Sequence, residues 1–138
     1  MMADCIFCQI VRGERSAYKV YEDSDTLAFL DIFPLVEGHT LVIPKAHCER
    51  LQDLHPDLTA KVAHAVRAVT EKLEKALGAP ATTIGINNGK AAGQVVPHLH
   101  IHILPRYEND GGGTIHSVVR TTTQRSLEEI CHLIAKAR

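Results

Sequence analysis

No apolar run in this sequence approaches the roughly 18 residues needed to cross a bilayer. The start, Met1-Met2-Ala3-Asp4-Cys5, has no basic stretch followed by an apolar one. No secretory leader is expected there, and the cytoplasm is the expected compartment. Charge of one sign is also missing: 15 basic residues stand against 16 acidic ones, a formal net charge of −1. That balance gives no broad positive field for a nucleic-acid backbone, so neither nucleic acid nor a membrane is expected as a partner. A small anionic ligand at a locally positive site remains open. No Gly-x-x-x-x-Gly-Lys-Ser/Thr motif is present, so ATP hydrolysis through a phosphate-binding loop has no support. No carboxylate cluster suggests a catalytic magnesium. Repeats, low-complexity stretches and linkers are absent too. What remains is a chain of 138 residues, 45 % hydrophobic and 22 % charged, read as a single domain 1–138 with one core.

The periodicities place the elements. Residues 5–11 read as a short helical turn. Residues 18–22 and 26–31 read as two strands joined by the turn Glu22-Asp23-Ser24-Asp25, a hairpin. Thr40-Leu41-Val42-Ile43 is a β-branched run that Pro44 ends. Pro56–Leu77 is the clearest helix. Pro56 suits the first position, Asp57 suits the positive end of the dipole, and Gly78 and Pro80 end it. Its stripe is Leu58, Val62, Val66, Val69, Leu73 and Leu77. Residues 82–86 and 96–104 read as further strands, the second stopped by Pro105. Residues 109–113 read as a mobile glycine loop. Ser126 with Glu129 forms a capping box before a last helix carrying Leu127, Ile130 and Ile134. Hairpin-linked strands with one long inserted helix imply an α+β domain, an antiparallel sheet with helices on one face.

The chemistry concentrates in His98-Leu99-His100-Ile101-His102-Ile103-Leu104. On a strand, Leu99, Ile101 and Ile103 face the core, and the three histidines line the opposite face at roughly 7 Å steps. Such a row can bind metal through neutral imidazole, or act as nucleophile and acid–base pair near pH 7. Elsewhere, Cys5-x-x-Cys8 offers two thiolates and Pro44-Lys45-Ala46-His47 offers a histidine just past a strand. By itself Cys-x-x-Cys could be a redox pair or two packed thiols. Four soft or borderline ligands make a structural zinc site, and Cys5, Cys8, His47 and His98 supply them economically. That leaves His100 and His102 for substrate. A zinc module using all three histidines of the row would leave Cys5 and Cys8 without a purpose. Asp31 and His39 read alone as a turn residue and a structural hydrogen-bonder.

These residues resemble the histidine triad (HIT) superfamily, whose signature alternates three histidines with apolar residues. The likeness extends to Phe29-Leu30-Asp31-Ile32-Phe33-Pro34, to Gly38-His39-Thr40-Leu41-Val42-Ile43-Pro44-Lys45-Ala46-His47, and to Asn87-Asn88-Gly89 before Gly93-Gln94. It covers about residues 5–106 and leaves 107–138 as an extension, in the manner of a zinc-bearing prokaryotic member of the histidine triad nucleotide-binding branch. The resemblance implies a five-stranded antiparallel sheet continued across a homodimer. It implies that His100 is the nucleophile and that His102 contacts phosphate and helps the leaving group. Asp31 would bind the ribose hydroxyls. Ile6, Phe7, Ile10, Phe29 and Ile32 would wall a purine pocket, and Asn87, Gly93 and Gln94 would surround the phosphate. His98 would be a ligand of a structural Zn2+, and no catalytic metal is expected. The implied reaction is nucleotidyl transfer to His100 and hydrolysis, adenosine phosphoramidase-like, on AMP derivatives. Val95 stands where one phosphoramidase branch has serine, and Pro105-Arg106 looks more like dinucleoside polyphosphate hydrolases. Dinucleoside polyphosphate hydrolysis is therefore the alternative reading, with a nucleotide-binding regulatory protein as a third. Neutral imidazole works as a nucleophile only if an acceptor holds its other nitrogen's proton.

Overall fold

The computed structural model describes residues 4–138, so Met1, Met2 and Ala3, read above for the absence of a leader, lie outside it. The elements are α1 (Ile6–Val11), β1 (Lys19–Glu22), β2 (Thr26–Leu30), β3 (Thr40–Pro44), α2 (Pro56–Leu77), β4 (Ala81–Gly85), β5 (Ile101–Arg106) and α3 (Leu127–Lys136). The five strands form one antiparallel sheet in the order β1-β2-β3-β5-β4. This is the α+β architecture the sequence implies, except that α2 and α1 pack on opposite faces of the sheet instead of sharing one. Among the described residues, no helix is long and apolar enough to cross a membrane.

Both faces of the sheet are covered, by different means. On one face Ala28, Val42, Ile101 and Ile103 pack against Val62, Ala65, Val69 and Leu73 of α2. On the other, Leu27, Phe29, Leu41 and Ile43 pack against Cys5, Phe7, Cys8 and Ile10. β3 is therefore buried along its whole length and β2 over all but Leu30, which is why they read as continuous apolar runs rather than alternating ones. The α2 stripe holds at Val62, Val69 and Leu73, whereas Leu77 is 40 % exposed at the helix end. α2 starts at the His55 ring, which accepts from the Asp57 N–H. It stops at Gly78, whose φ of 63° is left-handed.

Four expectations need correction. The strand predicted over 96–104 begins only at Ile101, so His98 and His100 lie before it. Pro97 interrupts the stretch, the His98 N–H turns back to the Val96 carbonyl, and the Leu99 N–H is drawn to the Cys48 carbonyl at 2.7 Å. The row of three histidines is thus broken: only His102 lies on β5, and its ring centroid is 5.0 Å from that of His100. Pro105 does not stop β5, which runs to Arg106 paired with β4. β3 has already ended on the other side, so proline's missing N–H costs no ladder bond there. The glycine loop 109–113 is pinned rather than loose. The Arg106 guanidinium grips the Asp110 carboxylate at 2.7 and 3.0 Å and also reaches Thr83 and the Gly113 carbonyl. Finally, α3 forms as capped by Ser126 but buries none of its residues.

Candidate active site and metal centre

The end of β3, the start of α1 and the bend before β5 meet at one cluster. His98 sets its chemistry. Its Nε2 lies 2.8 Å from the Pro44 carbonyl oxygen, which can only accept. Nε2 therefore carries the proton, and the Nδ1 lone pair faces the cluster. Nδ1 is 3.4 Å from Cys5 Sγ, 3.6 Å from Cys8 Sγ and 3.2 Å from His47 Nδ1, and Cys8 Sγ is 3.4 Å from His47 Nδ1. A tetrahedron built with zinc–nitrogen and zinc–sulfur bonds has edges of about 3.3–3.8 Å, so the donor set fits such an ion. The Cys8 N–H donates to Cys5 Sγ at 3.4 Å, which orients that sulfur at the start of α1. Burial, with the neighbouring His47 and His100, holds the His98 pKa at about 4 against the opposing pull of the Pro44 carbonyl. Neutral His98 is the form a metal requires. The structure gathers Cys5, Cys8, His47 and His98 and leaves His100 and His102 outside the cluster.

His100 is held the other way round. Its Nδ1 donates to the His98 carbonyl at 2.7 Å, which leaves the lone pair on Nε2. This is the acceptor that an imidazole nucleophile needs. Phe7 sets its ring edge-on against His100 at 5.3 Å and against Phe29 at 5.3 Å. His100 is thereby fixed between an aromatic wall and a backbone carbonyl.

His39 reaches the same site, a role its lone reading as a structural hydrogen-bonder does not capture. Its Nδ1 accepts from the Leu35 N–H at 3.2 Å, so the proton of the neutral ring sits on Nε2. Nε2 lies 2.9 Å from His102 Nδ1 and donates to it. His102 must then carry its own proton on Nε2. Burial, reinforced by His100 and His39, lowers the His102 pKa to about 4, and burial lowers that of His39 despite Asp31 nearby. Asp31, His39 and His102 also lie close enough to chelate an ion. The Leu35 N–H argues against it, because a metal on His39 Nε2 would push the proton onto Nδ1, against that donor. His39 and His102 form a hydrogen-bonded pair, and the Asp31 carboxylate lies beside it. Asp31 Oδ1 caps the Phe33 N–H at 2.9 Å and Oδ2 lies 3.5 Å from His39 Nε2.

The remaining expected residues divide. Phe7, Ile10 and Phe29 are buried in the α1-side core, whereas Ile32 is 70 % exposed and Ile6 lies at the surface. Asn87 approaches Gly93, where φ is 96°. Gln94 braces its own loop: Oε1 accepts from the Gly89 N–H, and Nε2 donates to the Glu49 and Val96 carbonyls. Arg50 escaped the sequence reading, and Asn88 entered it only as part of the Asn87-Asn88-Gly89 block, with no role of its own. Asn88 binds Leu51 and Gln52, and the Arg50 guanidinium donates to the Asn88 carbonyl and lies over Gly89. Polar loop side chains of this kind leave no periodic signature.

Two imidazoles of opposite fixed tautomer, beside a two-cysteine, two-histidine cluster on a five-stranded antiparallel sheet, define a histidine triad site. The HIT domain family matches residues 12–109, and the chain belongs to that family. It is 45 % identical over 107 residues to adenylylsulfatase HINT3 of Arabidopsis thaliana, covering 78 % of this chain and 54 % of that protein. A HIT family protein from Bacillus subtilis has the same fold with a TM-score of 0.85 and 40 % identity, over 96 % of each chain. A zinc-bound histidine triad family protein from Mycobacterium smegmatis aligns with a TM-score of 0.74 and 42 % identity, over 78 % of each chain.

Proposed function

We propose that the protein hydrolyses purine nucleotide derivatives at the α-phosphate, by way of a nucleotidyl-histidine on His100. The observation that carries this is the pair of fixed tautomers: His100 with its lone pair on Nε2, and His102 with its proton on Nε2. Nε2 of His100 attacks the α-phosphorus. The bond to the leaving group breaks, and that group departs with the electron pair, accepts a hydrogen bond from the His102 Nε2–H and draws its proton from solvent water. In the second half water attacks the phosphorus and gives up its proton to solvent, and the phosphorus–His100 bond breaks with its electron pair returning to Nε2, which releases the nucleoside monophosphate. Asp31, with Oδ2 at the site, recognises the ribose hydroxyls, and the apolar surface of Phe7, Phe29 and Ile32 receives the purine. Asn87 and Gly93 lie on the phosphate side, with Gln94 holding their loop in shape.

The phosphoramidase-like reading leads. HINT3 adds adenosine 5′-phosphosulfate as a substrate to test, and Pro105-Arg106 keeps dinucleoside polyphosphates as the second. Cys5, Cys8, His47 and His98 would hold a structural zinc that ties α1 and the bend before β5 to β3. The protein acts as a homodimer in the cytoplasm, a compartment that suits four reduced cysteines, two of them metal donors. The test is turnover of an adenosine phosphoramidate, adenosine 5′-phosphosulfate and diadenosine tetraphosphate by wild type and His100→Ala. Turnover lost in the variant, with AMP still bound, supports the mechanism, and the preferred substrate assigns the branch. Full turnover by His100→Ala refutes it.

A further inference from the structure

Arg50 is held more firmly than its exposed position requires. It precedes a single 3-10 turn, Leu51–Asp53, and its backbone is fixed at both ends. Its N–H donates to Asp53 Oδ2 at 3.2 Å, and its carbonyl accepts from the Asp53 N–H at 3.0 Å. Asn88 fastens that turn to the loop 87–94, accepting from the Leu51 N–H and donating to Gln52. The side chain then spreads over Gly89, the one buried residue of the loop. Yet a single bond holds the guanidinium, from Nη2 to the Asn88 carbonyl at 3.3 Å. Arg12, Lys19, Lys45, Lys61, Lys75 and Arg106 all pair with carboxylates, whereas among the described residues Arg50 has no such partner. Glu49 and Asp53 flank it in sequence, but Asp53 is engaged by the Arg50 backbone, and Lys90 on the loop offsets the charge of Glu49. A planar fork of N–H donors, pre-placed and unmatched, suits phosphate oxygens.

We propose that Arg50 is a specificity-determining residue that receives an anionic leaving group, a polyphosphate chain in preference to an amine. The inference rests on the nucleotidyl-histidine reading and adds what lies beyond the α-phosphate. Gln94 Nε2 donates to the carbonyls of both Glu49 and Val96, and the Val96 carbonyl also takes the His98 N–H. Arg50 is thus fastened to the bend that carries His100, on the side of Asn87 and Gly93. Phe7 and Phe29 occupy the opposite, α1 side. With the purine there and the α-phosphorus at His100, further phosphates run away from the nucleoside, over the loop and towards the guanidinium. As the bond from phosphorus to His100 forms, the bridging oxygen keeps the electron pair of the bond that breaks, so the departing polyphosphate gains one negative charge. Arg50 meets that charge and stays protonated throughout. A neutral amine gains nothing from it.

The experiment compares kcat/KM for diadenosine tetraphosphate and for an adenosine phosphoramidate in wild type, Arg50→Gln and Arg50→Lys. The expected result is a ratio of the first to the second that falls at least about tenfold in Arg50→Gln. Arg50→Lys keeps the charge but not the fork, and its ratio should fall less. A second measurement uses wild type alone. The Arg50 Nε–H resonance of AMP-saturated protein is followed during titration with inorganic tripolyphosphate, and it should shift. An equal loss on both substrates means that Arg50 only braces its loop, which overturns the inference and leaves the mechanism standing. A resonance that does not move overturns it in the same way. Turnover of neither substrate by wild type overturns the mechanism and the inference together. The resonance needs no variant, so the test survives a variant that fails to fold.

Discussion

Because the Leu35 N–H donates to His39, the His39 ring must offer Nε2–H to His102, and His102 must keep its proton on Nε2. Replacing His39 by Leu removes the donor and frees His102 to take the other tautomer, whereas Gln retains an N–H. His39→Leu should lower kcat by about 10²-fold, with His39→Gln nearer wild type. The ring-nitrogen shifts of His102 in 15N spectra should report the lost tautomer in the Leu variant alone. A structural defect would lower both variants together. The same burial makes stability depend on pH. His102 has a folded pKa of about 4 against an ordinary 6.5, so between those values the unfolded chain binds the extra proton. The His102 contribution to stability should therefore fall as pH drops from about 6.5 to about 4 and level off below. Melting temperatures of metal-free protein across that window should fall less steeply for His102→Gln than for wild type. The alternating histidines and the Cys5-x-x-Cys8 pair stood out because their types and spacing are rare, whereas Asp31 stood out only through the family resemblance. The role of His39 was not legible, because it depends on a single backbone amide four residues away.

Loops and strands were read unequally, for reasons the contacts supply. α2 was clear because an amphipathic stripe repeats along six turns. The bend at 96–100 was hidden, since alternating histidines and apolar residues mimic a strand. What breaks the alternation is Pro97 and two backbone bonds, to the Cys48 and Val96 carbonyls. The loop 87–94 read as a polar, glycine-bearing phosphate loop, and Gln94, Asn88 and Arg50 tie it down from three sides. Gly89 is the point where that bracing depends on the absence of a side chain. Its φ is 107°, and an added methyl would sit 2.8 Å from the Arg50 guanidinium. Gly89→Ala should cost about 1–3 kcal/mol and loosen the loop. Denaturant unfolding would show the loss, and a raised KM with little change in kcat would show that the loop positions substrate rather than reacts.

The whole molecule is built on two cores that share one sheet, and they depend on different things. The core under α2 is an apolar assembly of Val62, Ala65, Val69 and Leu73 against Val42, Ile101 and Ile103, and its fully buried members are all aliphatic. The core under α1 rests on a six-residue helix whose cap is the Cys5 sulfur and whose neighbours are His47 and His98. A helix that short has little stability of its own, so the cluster at its start must anchor it. Taking the metal away with a chelator should therefore release one side and spare the other. Hydrogen exchange should speed up in residues 5–11 and 96–100, while α2 and β3 keep most of their protection. Cys5→Ala should reproduce that pattern without chelator, and lower the melting temperature more than it lowers the residual chemistry at His100. An even loss of protection through α2, β3 and α1 alike would mean that the two cores unfold as one and that the metal holds the entire fold.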